Sequence, residues 1–300
     1  MHFVRLLSLS GLASAAALLR PRQASTGCTN PEKRVEFRTL DTAAQKKYTD
    51  AVMCLATKPS TLGLNLNTTL YDDFTYVHTR LNDIIHYVSM FLPWHRYFVQ
   101  LYQNHLKDCG YTGPMKVVGG NGGDKIEKTG DQEWMCLTDG PFKDLRPAYS
   151  RTEYAPHCLS RDFNDGTARP GNMRGTAYSD EEMEFVNKWD AYDDFRTYLE
   201  SIPHGSIHSA VGGEKGDLRP SSSPNDPLFF MHHAQVDRLW YLWQQRNPET
   251  RNKDIKGQKF QPDNGVVATL DDVMPFMGLT ADIKISEVMT TQNDLLCYSY

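Results

Sequence analysis

After its first twenty residues the chain lacks any apolar run near the roughly 18 residues that a bilayer crossing needs, so no membrane span is predicted there. Basic blocks are also missing. The 32 Lys and Arg stand against 37 Asp and Glu, a formal net charge of −5, which gives no electrostatic reason to expect nucleic acid as a partner. No stretch repeats at a solenoid period and no tract is of low complexity, which predicts one sizeable core across the 300 residues. None of the six cysteines stands in a Cys-x-x-Cys pair, which argues against a zinc finger. The zinc-protease pattern His-Glu-x-x-His is absent too, because Gly205 follows His204. Gly119-Gly120-Asn121-Gly122-Gly123 leads into Asp124-Lys125 without the spacing of a phosphate loop, which removes nucleotide binding by that route.

Short apolar stretches do occur at the start. Met1, His2 and Arg5 precede Leu6-Leu7-Ser8-Leu9, and small residues follow at Ala13-Ser14-Ala15-Ala16-Ala17, the pattern of a secretory signal peptide over residues 1–20. Secretion makes an even cysteine count readable. Cys28, Cys54, Cys109, Cys136, Cys158 and Cys297 predict up to three disulfides, whose pairing the sequence leaves open. Asn67-Thr68-Thr69 is a glycosylation sequon that fits a secreted surface loop.

Apolar residues recur at helical steps over Thr42 to Leu55, Asp72 to His86, Pro93 to Lys107, Phe185 to Leu199 and Pro227 to Gln245. Asp41 is placed to cap the first, and Asn225-Asp226-Pro227 to open the last. Long irregular segments are expected at 110–150, 155–180, 211–226 and 246–300. The reading is a mainly helical single domain over residues 21–300, with long loops stapled by disulfides.

Ten histidines occur and seven of them cluster. His78, His86 and His95 fall in one window; His204, His208, His232 and His233 fall in another, far along the chain. His204 and His208 are four apart, which on a helix puts both imidazoles on one face. Any one of them reads equally well as a hydrogen-bonded core histidine. As a set, with neighbours such as Trp94, Tyr97, Phe229 and Phe230, they would leave many buried polar atoms to satisfy without a metal. An all-imidazole donor set suits copper, zinc, iron or nickel.

Two segments carry a more specific signal. Leu92-Pro93-Trp94-His95-Arg96-Tyr97-Phe98 resembles the third histidine segment of the first copper site in tyrosinases and catechol oxidases. The stretch from Asn225-Asp226-Pro227 through His232-His233 to Asp237-Arg238-Leu239-Trp240 is similar to their last segment for the second copper. Tyr298-Ser299-Tyr300 resembles the Tyr-x-Tyr motif that closes their catalytic domain. The resemblance implies a four-helix bundle holding a dinuclear copper site, with His78, His86 and His95 on one ion and His204, His208 and His233 on the other. It implies O₂ and a small phenolic substrate as partners, and oxidation of catechols to o-quinones. Asp237 would then orient a ligand imidazole, or serve as a helix carboxylate bonded locally or paired on the Arg238 side. Glu200, four residues before His204, would hold a water near the metals, or lie solvated at the surface.

Departures from the family pattern matter as well. Gly205 stands where many relatives carry Asn beside the first histidine of the second site, which favours catechol oxidation over monophenol hydroxylation. No cysteine lies between His78 and His86, so no thioether to a histidine is expected there, and the ending at Tyr298-Ser299-Tyr300 implies no C-terminal lid domain. Tyr111-Thr112-Gly113-Pro114-Met115 replaces the usual Pro-Tyr-Trp-Asp-Trp strip, a loss that could weaken packing beside the copper helices. A haemocyanin-like oxygen carrier and a copper-poor, inactive homologue are therefore kept as alternatives.

Overall fold

The computed structural model describes residues 27–113, 122–129, 131–163 and 175–300. The expected leader, and 114–121 within the replaced aromatic strip, lie outside these residues.

Helix α1 spans Thr42–Leu55, as its sequence predicts, because the Asp41 carboxylate accepts the Ala44 N–H at 2.7 Å and closes the first turn. Helix α2, Leu70–Ile85, opens on a reciprocal capping box between Thr69 and Asp72. Helix α3, Phe91–Asp108, places Pro93 inside its first turn, where a missing N–H costs nothing. Helices α4 (Asp180–Val186), α5 (Tyr192–Leu199), α6 (Gly205–Gly212) and α7 (Leu228–Gln245) follow, with a last short helix, α8, over Pro248–Arg251. The Asp226 carboxylate accepts the Leu228 N–H and so opens α7 as its sequence suggests.

One predicted helix divides. Phe185 to Leu199 is α4 and α5, because tertiary partners take the backbone between them. The Trp189 carbonyl accepts the Trp243 indole N–H at 2.8 Å, Asp190 pairs with Arg251, and the Tyr192 N–H donates to Asp254. In the other direction, α5 continues into α6 through a wider turn at Glu200–His204 that accommodates Pro203. The segment 110–150, expected to be irregular, contains an antiparallel hairpin of Gly122–Thr129 with Gln132–Leu137.

The core lies where α2, α3 and α7 meet. Tyr102 stacks on Phe230 at 3.5 Å between ring centroids, and Phe74 meets Phe98 and Phe230 at 5.2 and 5.6 Å. Burial of these rings holds the helices that carry the histidines. All six cysteines pair: Cys28 with Cys297, Cys54 with Cys109, and Cys136 with Cys158. The first of these lies beside a parallel pairing of Glu32–Lys33 with Tyr298–Ser299. No helix among the described residues is long and apolar enough to cross a membrane.

Candidate metal centre

His78 lies on α2 and His86 caps its C-terminal end, while His95 lies on α3. Their ring centroids stand 4.9 to 5.5 Å apart, and the Nε2 atoms of His78 and His95 approach to 3.3 Å. His204 and His208 lie on the turn-and-helix that ends in α6, and His233 on α7; their rings stand 4.5 to 5.6 Å apart. The trios face each other, with His95 stacked on His233 at 4.3 Å. Four helical segments therefore bring together the six histidines singled out in the sequence.

Backbone carbonyls fix the direction of five of these rings. His78 Nδ1 donates to Ser221 O at 2.7 Å, His86 to Asn82 O at 3.0 Å, and His95 to Phe91 O at 2.8 Å. His204 Nδ1 donates to Glu200 O at 2.9 Å and His208 Nδ1 to Leu218 O at 2.5 Å. An imidazole that donates through Nδ1 while neutral carries its lone pair on Nε2, the tautomer a metal requires. Burial, reinforced by neighbouring histidines, holds His78, His95, His204 and His233 well below the ordinary imidazole range; burial brings His86 and His208 down to about 4. Neutral imidazoles are the ligand form. His204 Nε2 and both ring nitrogens of His233 are buried without a hydrogen-bond partner. Orphaned atoms of that kind are costly unless a metal takes them, so the donor set fits a dinuclear site.

His232 is the neighbour the sequence could have confused with a ligand. It stacks against His204 at 5.2 Å, has a ring nitrogen within 4.8 Å of those of His204, His208 and His233, and with His204 also lines a second cavity beside Leu199, Ile207, Met231 and Leu239.

Glu200 is buried rather than solvated at the surface. Its carboxylate accepts the Tyr87 N–H at 2.6 Å and an Arg196 guanidinium N–H at 3.1 Å. Burial outweighs both partners and pushes it up to about 7. It lines a cavity of about 560 Å³ with His78, His86, His204 and His208.

Asp237 orients no imidazole, and its partner is not on the Arg238 side. Arg34 donates to it at 3.2 Å, Arg96 at 2.5 Å, and the hydroxyls of Tyr298 and Tyr300 at 2.5 and 2.6 Å. One turn after His233, the residue instead gathers the two ends of the described chain onto α7. Sequence spacing on one helix could not reveal partners 61 to 203 positions away.

A family profile described as the common central domain of tyrosinase matches residues 68–246, which contain all six histidines. The chain belongs to the tyrosinase family. The tyrosinase ustQ of Aspergillus flavus is 36% identical over 295 residues, covering 91% of this chain and 80% of its own length. The tyrosinase-like protein phomQ2 of Diaporthe leptostromiformis is 37% identical over 295 residues, at 91% and 74% coverage. Among solved structures, a variant of the polyphenol oxidase of Thermothelomyces thermophila superposes with a TM-score of 0.73 at 26% identity, covering 90% of this chain and 88% of that one. As a member of the tyrosinase family, the protein is an oxidoreductase of the type 3 class, with two copper ions as cofactor. Its three disulfides are consistent with a secreted protein.

Proposed function

We propose that this member of the family is a secreted, single-domain catechol oxidase over residues 21–300, in which His78, His86 and His95 hold one copper and His204, His208 and His233 hold the other. Two catechols and one O₂ would give two o-quinones and two waters. The observation that carries the assignment is the set of Nδ1 anchors on backbone carbonyls, which leaves the Nε2 atoms for metal. When bound, the copper pair supplies the two-electron exchange between catechol and O₂.

The chain's own residues do the rest. Phe229 and Phe91 pack at 4.2 Å and 4.9 Å from His233 and His204, so the imidazoles cannot turn away from their metal-facing poses. Glu200, on the cavity wall, is placed to hold a water or take up a phenolic proton, and its Tyr87 and Arg196 partners fix the carboxylate in place. Gly205 lines the same wall and brings no side-chain amide to share that water, which supports catechols over monophenols as substrates.

Oxygen uptake by the copper-loaded protein tests the reading. Uptake with catechol and little with a monophenol is the expected result. Uptake with the monophenol after a lag overturns the catechol preference. Full copper loading without any uptake overturns the oxidase in favour of a carrier, and failure to load copper overturns the ligand assignment.

A further inference from the structure

Leu218 and Ser221 each hold one histidine of a different trio. Leu218 O accepts from His208 Nδ1 and Ser221 O from His78 Nδ1. Arg219 and Pro220, the two residues between, therefore stand across the gap between the trios, and both line the cavity that contains them. The backbone here has little freedom. A Cβ on Gly212 would lie 2.5 Å from the Arg219 nitrogen, so the end of α6 presses directly on this segment.

The Arg219 side chain is exposed at the cavity and donates one hydrogen bond, from a terminal nitrogen to Gly213 O at 2.9 Å. Among the described residues no carboxylate pairs with it. Among the described residues no other lysine or arginine lines this cavity, and the one carboxylate among them, Glu200, is already engaged by Arg196 and Tyr87. The cavity thus presents one uncompensated guanidinium, with donors that match a carboxylate in two parallel bonds. A phenol whose hydroxyl end reaches the Nε2 atoms keeps the far end of its ring within the cavity that Arg219 lines.

We infer that Arg219 is a specificity-determining residue that selects phenols carrying a carboxylate on a short side chain opposite the hydroxyls. The inference deepens the oxidase proposal and rests on that reading for its substrate class. An exposed ion pair of this sort gives about a 5-fold preference.

The test compares 3-(3,4-dihydroxyphenyl)propionate with its methyl ester on the copper-loaded full chain, for the wild type, Arg219→Gln and Arg219→Glu. The wild type is expected to favour the acid over the ester by about 5-fold in kcat/KM at low ionic strength. The ratio should shrink at high salt, fall to about 1 in Arg219→Gln, and drop below 1 in Arg219→Glu. A ratio unchanged by Arg219→Gln overturns the inference while the oxidase reading stands. Calorimetric binding of 3-phenylpropionate against its amide reports on the same contact without any oxidation. If no catechol is oxidised yet 3-phenylpropionate binds more tightly than the amide, and loses that advantage in Arg219→Gln, the oxidase reading falls and the carboxylate site stands. If salt leaves the wild-type acid-to-ester ratio untouched, the contact is not ionic and the inference is overturned even where a variant fails to fold.

Discussion

Replacing Asp237 by Asn should destabilise the protein more than any single change on its surface. The carboxylate is 3% exposed and accepts from two guanidiniums that are themselves buried, Arg34 at 5% and Arg96 at 1% exposure. It also accepts from the Tyr298 and Tyr300 hydroxyls. The amide keeps the shape but removes the charge, and in either orientation it turns its NH₂ toward an arginine that can only donate. Neither arginine can escape to water, because Arg96 lies on Trp240 at 3.6 Å and Arg34 on Tyr298 at 3.5 Å. Leaving buried charge without its counter-ion costs about 3–5 kcal/mol, a large part of the roughly 5–15 kcal/mol that holds a typical domain together. At a urea slope of about 3 kcal/mol per molar, the unfolding midpoint should fall by about 1–1.7 M. Asp50→Asn is the control. Its pair with Lys46 is exposed on both sides and should cost less than about 1 kcal/mol. An Asp237→Asn midpoint shift no larger than the Asp50→Asn shift would refute the reasoning. The five carbonyl anchors of the histidines do not involve Asp237, so the folded variant should still bind two coppers per chain.

Three further outcomes are expected. His233→Ala should reduce copper content from two ions toward one per chain, read by metal analysis, because both ring nitrogens of this residue lack any other partner. Glu200→Gln should lower kcat for catechol by about 10- to 100-fold with copper content intact, and an unchanged rate removes Glu200 from the reaction. His157, stacked on Trp134, has Nδ1 at 2.7 Å from Ala155 O and Nε2 at 3.0 Å from the Asp217 carboxylate, a setting that favours its protonated form. Burial pulls its proton affinity down, but the Asp217 carboxylate outweighs burial and raises it above the ordinary 6.5. A group raised in the folded state stabilises fully below 6.5, and that stability is lost as pH rises through the folded value. Wild type should therefore lose stability to urea more steeply than His157→Gln does as pH rises above 6.5, and parallel curves sink the argument.

The histidine pairs and the capping residues were the legible part of this chain, because each acts over three or four positions. Asp41 set the start of α1, and the four-residue step from His204 to His208 held through a turn that also carries Pro203. What distant segments impose stayed hidden. The break before Tyr192 depends on Trp243, Arg251 and Asp254, and the role of Asp237 depends on residues from both ends. Glu200 was readable as a neighbour of His204, but its burial against Tyr87 and Arg196 was not. The hairpin of Gly122–Thr129 and Gln132–Leu137 was lost in a polar stretch whose inward residues, Trp134 and Cys136, are too few to mark a period.

The stretch from Leu218 to Ser221 separates what can vary from what cannot. Its carbonyls set two histidines, so an insertion or deletion there would disturb both trios at once. The side chain of Arg219 takes no part in that grip. Exchanging it should retune which phenols enter while the spacing of the histidines is left unchanged. Divergence in substrate preference at this position therefore needs no compensating change in the metal-holding framework.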